Sequence, residues 1–166
     1  MAELVEIIDA LKQRFKVLGT GEFRGLTRVV LALPEIHDAL EYLKNERGFD
    51  MLIDVTCVDY LHYRNATERF VAVYHLVNTQ TNERLIVRVA LDENDLRLPT
   101  VTDLWAGAEW LEREVWDMFG VRFDGHPDLR RILLPPEFTA HPLRKDYPLQ
   151  GRGERHNFPV ITRDQS

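Results

Sequence analysis

The sequence predicts an α+β domain in which helices cover one face of a mixed or antiparallel sheet, followed by an extended, proline-rich C-terminal segment. Apolar residues at helical spacing occur in three stretches, and β-branched and apolar runs lie between them. Two of these runs, 69–78 and 83–91, are separated by four residues, a spacing typical of a hairpin. Six prolines after residue 120 argue against a helix or a central strand in that region.

Three helices are predicted from apolar stripes and from the residues at their ends. Residues 2–16 carry an amphipathic stripe. Residues 34–48 begin with a proline, which suits the first helical position, and end with a glycine, which suits the C-terminal end. Residues 104–119 carry the third stripe, and Gly120 follows it as a stop signal.

The remaining runs predict a sheet with one apolar face. Thr20-Gly21 is predicted to be the turn that precedes the first strand. In the last strand every second residue is apolar, so we expect the helices to cover that face. The predicted strands are 26–33, 51–60, 69–78 and 83–91.

Length, charge and cysteine content limit the class of protein. A chain of 166 residues is long enough for one domain with its own core. The net charge of −6 counts against a general nucleic-acid binder, and the single Cys57 excludes a disulfide or a cysteine cluster within the chain. Apolar runs fall far short of the roughly 18 residues that a membrane span needs. We therefore expect a soluble, intracellular protein.

The charge divides the chain at Gly120. Residues 1–120 carry 21 acidic and 13 basic side chains, a net charge of −8, whereas residues 121–166 carry 6 and 8, a net charge of +2. The second part also holds many apolar side chains, which would be costly to leave in water. We therefore predict an α+β domain over residues 1–120 and an extended C-terminal docking segment over residues 121–166.

Histidines and carboxylates of the C-terminal half raise the hypothesis of a small metal-dependent hydrolase. His126, Asp128, His141 and Asp146 offer nitrogen and oxygen ligands, and Glu114 offers a base. The spacing does not favour this hypothesis, because no two histidines lie four residues apart on a helix and the ligands fall in proline-broken segments. Structural ion pairs are the more common role of such clusters.

The polar residues of the third helix have two interpretations. Residues 112–114 form a solvated face, with Arg113 and Asp117 paired four residues apart, or they belong to an interface. Three tryptophans favour a large core and an interface equally. They are Trp105, Trp110 and Trp116.

Two basic pairs, Arg130-Arg131 and Arg144-Lys145, also have two interpretations. One is a patch for nucleic acid or anionic lipid. The adjacent Asp128 and Asp146 favour the other, in which the cations pair with carboxylates of this domain or of a partner. The sequence contains no glycine-rich phosphate loop and no nucleophile elbow, so it is not typical of a free-standing enzyme.

Two blocks of sequence resemble a known family. Residues 112–133, EREVWDMFGVRFDGHPDLRRIL, resemble the signature of the C component of NADH-quinone oxidoreductase, which is the 30 kDa subunit family of respiratory complex I. Residues 141–151, HPLRKDYPLQG, resemble the downstream element of the same family, in the same order and separation. Ala140 is a small departure, since the family often has glycine before the His-Pro pair.

The resemblance implies a cofactor-free structural subunit of the peripheral arm of a proton-translocating complex that passes electrons from NADH to quinone. FMN, iron–sulfur clusters and quinone would be bound elsewhere in the complex, and the isolated chain would not be catalytic. The implied partners are chiefly the quinone-site subunit (the D component) and the cluster-bearing subunit (the B component). The implied location is the cytoplasmic side of the inner membrane, reached only through the complex. A subunit of a related membrane-bound hydrogenase or ferredoxin-linked complex is the alternative.

The resemblance also implies that the two blocks form the interface with these partners. Its aromatic members are expected to pack and its charged members to pair across it. The expected interface residues are Glu112, Arg113, Glu114, Trp116, Asp117, Phe119, Gly120, Phe123, His126, Pro127, Asp128, Arg130, Arg131, Leu133, Pro142, Leu143, Arg144, Lys145, Asp146 and Tyr147.

Overall fold

The computed structural model describes residues 2–154 of the chain. Three α-helices, seven strands and one short 3₁₀ helix lie along this part. In chain order they are α1 (Ala2–Arg14), β1 (Val17–Phe23), β2 (Leu26–Leu31), the 3₁₀ helix (Leu33–Glu35), α2 (Ile36–Arg47), β3 (Met51–Asp59), β4 (Phe70–Val77), β5 (Arg84–Leu91), β6 (Arg97–Pro99), α3 (Ala108–Phe119) and β7 (Arg122–Asp124).

Five strands form one mixed sheet, which confirms the predicted α+β fold. Their order is β1-β2-β5-β4-β3, with β2 and β5 parallel and every other neighbouring pair antiparallel. The predicted hairpin joins β4 to β5. The short strands β6 and β7 pair in parallel as a separate two-stranded sheet.

One face of the five-stranded sheet packs against the helices. Along β5, Leu85 and Val87 are fully buried and alternate with half-buried residues, as the apolar alternation predicts. They share a single apolar core with Leu11 of α1, Leu40 of α2 and Val115 of α3. Burial of this face removes apolar surface from water, and each buried aliphatic side chain contributes about 1.5–3 kcal/mol.

Glycines end the second and third helices at the predicted positions. Gly48 and Gly120 follow α2 and α3 with φ angles of 74° and 76°, in the left-handed region that residues with a Cβ atom avoid. The Gly120 N–H donates to the carbonyl oxygen of Trp116 at 2.8 Å. The chain therefore reverses direction sharply after α3, toward the second half of the signature block.

The first hairpin differs from the prediction. Thr20 and Gly21 lie inside β1, and the turn falls at Arg24 and Gly25, which have φ angles of 52° and 76°. The predicted turn is wrong because β1 pairs with β2 along its length. These cross-strand hydrogen bonds outweigh the low strand propensity of the glycines.

The third helix begins at Ala108 and not at Leu104. Residues 101–107 form hydrogen-bonded turns, in which the Trp105 N–H donates to the Val101 carbonyl oxygen at 2.9 Å. Val101, Leu104 and Trp105 are all buried, so apolar spacing continues through these turns. A helical stripe and a series of buried turns share this spacing, which explains the wrong boundary.

Packing continues beyond residue 120. β7 pairs with β6, and Val121 and Phe123 are buried in the main core. Residues 125–154, here called the tail, mostly follow turns and bends. The division into a domain 1–120 and a docking segment 121–166 stays a prediction, and residues 155–166 lie outside the described part of the chain.

The two faces of β2 offer a direct test of the core. Val29 is fully buried on the helix-covered face, and the adjacent Val30 is half-buried on the other face. We expect Val29→Ala to lower the free energy of unfolding by about 2 kcal/mol, from lost burial plus a cavity, and Val30→Ala by less than about 1 kcal/mol. Urea unfolding of the full chain measures both, and equal losses would contradict the assignment of faces.

Candidate functional site

The polar residues of α3 are mostly buried. Glu112 and Asp117 have no exposed surface and Arg113 is 6% exposed, whereas Glu114 is exposed. The solvated-face interpretation is therefore wrong for Glu112 and Arg113 and right for Glu114. The predicted ion pair between Arg113 and Asp117 does not form among the described residues. Arg113 instead donates to a backbone carbonyl oxygen, and Asp117 pairs with Arg131.

Asp117 anchors the tail through its carboxylate. Its Oδ2 accepts hydrogen bonds from the backbone N–H groups of Ile132, Leu133 and Leu134, at 3.1, 2.8 and 2.9 Å. Its Oδ1 accepts from Nη1 of Arg131 at 2.5 Å. Burial alone would raise the pKa of Asp117, but these hydrogen bonds outweigh burial and hold the pKa below its usual value. The buried carboxylate therefore stays charged at neutral pH and fully paired.

Two arginines complete this attachment. Arg113 donates from Nε and Nη2 to the carbonyl oxygens of Arg130 and Arg131, both at 3.1 Å. The Arg131 guanidinium lies 5.6 Å from the ring centroid of Trp116 and 5.8 Å from that of Phe138. Residues 130–134, here called the first anchored block, are thus held along α3 by charge-assisted hydrogen bonds and cation–π contacts.

Asp59, at the end of β3, anchors the second signature block. Its Oδ2 accepts from the Lys145 backbone N–H at 2.8 Å, and its carboxylate also accepts from Nε of Arg69 at 3.2 Å. Arg69 forms a further ion pair with Asp146 at 3.0 Å. Burial would raise the pKa of Asp59, but hydrogen bonds from Arg69, Lys145 and Leu61 outweigh it and lower the pKa. Residues 141–147, the second anchored block, therefore lie against the end of β3.

The second anchored block packs against the end of α3 at Gly120. His141 Nδ1 donates to the Asp117 carbonyl oxygen at 3.0 Å, and Arg144 Nε donates to the Phe119 carbonyl oxygen at 2.6 Å. A Cβ atom on Gly120 would lie 2.6 Å from Nη2 of Arg144 and 2.7 Å from His141. Burial and the charges of Arg144 and Arg131 lower the pKa of His141, so the ring is neutral at pH 7.

The residues proposed as metal ligands do not converge. His126 Nε2 donates to the Glu109 carbonyl oxygen at 3.1 Å, and its Nδ1 accepts from the Asp128 N–H at 3.0 Å, so both ring nitrogens serve the local loop. Within residues 2–154, the group with metal-binding spacing is the surface set His37, Asp38 and Glu41. The structure therefore gives the hydrolase hypothesis no site at His126, Asp128 and His141.

The anchored tail leaves large apolar side chains in solvent. Leu133 is 59% exposed and lies between two residues whose N–H groups bind Asp117. Leu143 and Leu149 are also exposed, as is Trp110 on the outer side of α3. The other two tryptophans are shielded, since Trp105 is buried and donates to the Asp50 carbonyl oxygen and Trp116 packs edge-on against His141.

The expected interface residues fall into three groups by exposure. The buried ones are Glu112, Arg113, Asp117, Phe119 and Phe123. The half-buried ones are Trp116, Gly120, His126, Arg131, Pro142, Arg144 and Tyr147. The exposed ones are Glu114, Pro127, Asp128, Arg130, Leu133, Leu143, Lys145 and Asp146.

This arrangement changes the expected role of the charged residues. Arg131 and Asp146 have ion-pair partners within the chain, as does the exposed Arg130, which pairs with Asp128 at 2.9 Å. The sequence interpretation missed Asp59 and Arg69, because an acid at a strand end 86 residues before its hydrogen-bond donor carries no local signal.

Glu112 is a second buried carboxyl group of α3. Its Oε1 accepts from the Val101 N–H at 2.7 Å and its Oε2 from the Thr100 hydroxyl at 2.6 Å. Burial raises the pKa of Glu112 to about 7, despite these hydrogen bonds. The Tyr74 hydroxyl is buried near this charge without a hydrogen-bond partner in the described structure. The turns before α3 are thus attached to a carboxyl group that titrates near neutral pH.

Comparison with known proteins identifies the family. Residues 29–153 match the family described as "Respiratory-chain NADH dehydrogenase, 30 Kd subunit". The chain belongs to this family. It is 44% identical over 155 residues to the C component of NADH-quinone oxidoreductase from Trichlorobacter lovleyi, a match that covers 92% of this chain and 94% of the relative.

Two further matches differ in how the related proteins are built. The C/D protein of NADH-quinone oxidoreductase from Nitrosospira multiformis is 42% identical over 160 residues, covering 86% of this chain but 26% of that longer polypeptide. A chain in the structure of the membrane-bound sulfane sulfur reductase, an archaeal respiratory membrane complex, matches with 27% identity and a TM-score of 0.74. That match covers 90% of this chain and 87% of the other. Among the helices of residues 2–154, none has the length and apolar character that crossing a membrane requires.

Gly120 provides a test of the attachment between tail and helix. Gly120→Ala adds the strain of a positive φ angle and a collision with Arg144 and His141, whereas Gly25→Ala adds the same strain with no atom within 4 Å. We expect Gly25→Ala to cost about 1 kcal/mol and Gly120→Ala about 3 kcal/mol or more in urea unfolding. Equal costs would show that the tail does not pack on Gly120.

Glu112 predicts a pH dependence of stability. Its pKa is about 7 in the folded chain against an ordinary value of 4.5, so the unfolded chain releases this proton at lower pH. Stability should therefore fall as pH rises from about 4.5 to 7 and then level off. Relative to the native chain, Glu112→Gln should gain roughly 3 kcal/mol between pH 4.5 and pH 8. Urea unfolding across this range measures the gain. The exposed Glu114→Gln is the control, and a parallel shift in both variants would contradict the assignment.

Proposed function

We propose that the chain is a structural subunit of the peripheral arm of a proton-translocating NADH-quinone oxidoreductase. Its tail docks the quinone-site subunit and lies near the cluster-bearing subunit. The observation that carries this proposal is an anchored tail with exposed leucines. The backbone of the first anchored block is bound to Asp117, yet Leu133 in that block is 59% exposed.

An ordered backbone that presents exposed apolar side chains can bind a partner with little further loss of conformational entropy. A disordered tail would lose conformational entropy on binding, whereas this tail is already attached at Asp117 and Asp59. Each exposed leucine buried against a partner would contribute about 1.5–3 kcal/mol. Trp110 adds an aromatic anchor of the kind enriched at interface hot spots.

The quinone-site subunit is the favoured partner because one relative joins the C and D components. The Nitrosospira multiformis protein is a C/D polypeptide, and this chain corresponds to 26% of it. Two components carried by one polypeptide are held near each other at a high effective concentration. This arrangement supports direct contact between the corresponding separate chains.

The chain's own chemistry supports a structural role without a cofactor. Iron–sulfur clusters are held by several cysteine thiolates, and this sequence has one cysteine. Burial, with a smaller effect from Asp59, raises the pKa of Cys57 to about 12, so its thiol stays protonated and is a poor metal ligand. Under this proposal FMN, the clusters and quinone belong to partners, and electron transfer from NADH occurs only in the complex.

The partners also determine the location that we propose. The quinone-site and cluster-bearing subunits would hold the chain at the cytoplasmic side of the inner membrane as a peripheral component. The similarity to a chain of the sulfane sulfur reductase favours one alternative, a related membrane complex with a different electron donor. Oxidation of NADH or of reduced ferredoxin by the purified complex, with quinone as acceptor, separates these two functions.

Docking by the tail is tested with two leucines of matched exposure. Leu133 lies in the tail and is 59% exposed, and Leu18 lies in β1 and is 57% exposed. We expect Leu133→Asp to lower recovery of the chain with the tagged quinone-site subunit by about tenfold or more, because a charge would be buried at the interface. Leu18→Asp should leave recovery unchanged.

Both variants should keep the native melting temperature, which shows that the loss is one of docking. Recovery of complex at native levels with Leu133→Asp and Leu143→Asp combined would contradict the docking role. Activity in quinone reduction should fall in proportion to the recovered chain, since the chain supplies no redox group.

A further inference from the structure

The face of the sheet opposite the helices lacks a covering layer of helices among residues 2–154. Val71 and Val73 of β4 lie on this face beside Ala90 and Arg88 of β5, and both valines are only 7% exposed. Val30 of β2 lies next to Arg88 on the same face. The face also carries polar side chains, as expected of a sheet face in water, and the apolar surface that stays partly exposed on it belongs to half-buried residues such as Val30 and Ala90.

A groove crosses one end of this face, here called the outer groove. It lies between β2, β5 and the loop 60–68, and has a volume of about 540 Å³. Tyr60 and Tyr63 form one wall, with ring centroids 5.6 Å apart in an edge-to-face contact. Tyr63 is 70% exposed at its rim. The groove is therefore open enough for an extended chain and is walled by aromatic rings.

Two arginines in the outer groove have no carboxylate partner in the described chain. Arg28 and Arg88 are both half-buried and lie diagonally across β2 and β5. Arg88 donates from Nη2 to the Tyr60 hydroxyl at 2.8 Å. Within residues 2–154, the Arg28 side chain forms neither a hydrogen bond nor an ion pair. By contrast, the half-buried Arg69 and Arg131 each bind a buried carboxylate.

Half-buried guanidinium groups are costly to leave without an anion. Arginine's planar fork pairs with carboxylates through two parallel hydrogen bonds, which gives both energy and direction. Glu68 also lines the groove, but in the described structure it forms no ion pair with either arginine. The outer groove thus has a local excess of positive charge in a part of the chain, residues 1–120, whose net charge is −8.

We propose that the outer groove binds an acidic, extended segment of another protein subunit, whose carboxylates pair with Arg28 and Arg88. Aliphatic side chains of the same segment cover the half-buried Val30 and Ala90. Charge complementarity is the argument for this occupant. A membrane surface is disfavoured, because lipid recognition uses clusters of about 4–8 cations and the groove holds two. This is a second interface, on the face of the sheet opposite α3 and beyond the proposed docking of the quinone-site subunit.

Photo-crosslinking in the assembled complex tests the inference. Tyr63, an exposed aromatic residue at the rim, is replaced by p-benzoylphenylalanine in the full chain, and the complex is captured through a tagged partner subunit. We expect a crosslink to a peptide of another subunit that contains aspartate or glutamate. The double variant Arg28→Glu and Arg88→Glu should lower its yield by about tenfold or more. Arg84→Glu, an exposed reversal on the same face of β5, is the matched control and should leave the yield unchanged.

The outcomes separate this inference from the proposed function. A chain that is absent from the captured complex would refute the proposed function. A chain that is present but crosslinks to lipid, to a second copy of itself or to nothing would overturn the outer groove as an interface for an acidic partner. Crosslinking unaffected by the double reversal would do the same. If the double reversal lowers the melting temperature, Arg28→Gln alone serves instead, because the Arg28 side chain has no hydrogen bond or ion pair to lose within residues 2–154.

Discussion

The carboxylate of Asp117 organises the C-terminal half of the molecule. It is fully buried on α3 and accepts from three successive N–H groups and from Arg131. A chain segment without helix or strand must satisfy its backbone donors in another way, and here one carboxylate satisfies three of them. Together with Arg113, this carboxylate sets the position of the first anchored block and with it the exposure of Leu133.

Acidic side chains of residues 1–120 accept hydrogen bonds from the tail, and arginines of the tail donate hydrogen bonds to residues 1–120. Asp59 receives the Lys145 N–H, and Arg144 donates to the last residue of α3, Phe119. The charged residues that characterise the signature blocks are thus largely engaged inside the chain. The exposed leucines and Trp110 can be buried against a partner, because hydrophobic contact is non-directional and requires only that apolar surface be removed from water. In the outer groove, Arg28 and Arg88 have no carboxylate partner within residues 2–154, and a carboxylate of another subunit is inferred.

Much of the fold was predictable, because local patterns dominate in its regular elements. Alternating apolar residues predicted β5 and its buried face, and the glycines at the ends of α2 and α3 predicted both stops. The errors lie where pairing or burial overrides a local preference. Pairing with β2 makes β1 a strand in spite of its glycines, and buried turns before Ala108 imitate the spacing of a helix.

The sequence by itself determined the family, the helices and the central strands, since these depend on composition, period and the two signature blocks. Only the tertiary structure decided which polar residues are internal. Asp59 and Lys145 are 86 residues apart, and folding alone brings them within 2.8 Å. It likewise separates Glu112, buried against Val101, from the exposed Glu114 on the same helix. The physical reason is that desolvation and hydrogen bonding depend on what surrounds a side chain in space, and a linear pattern does not contain those surroundings.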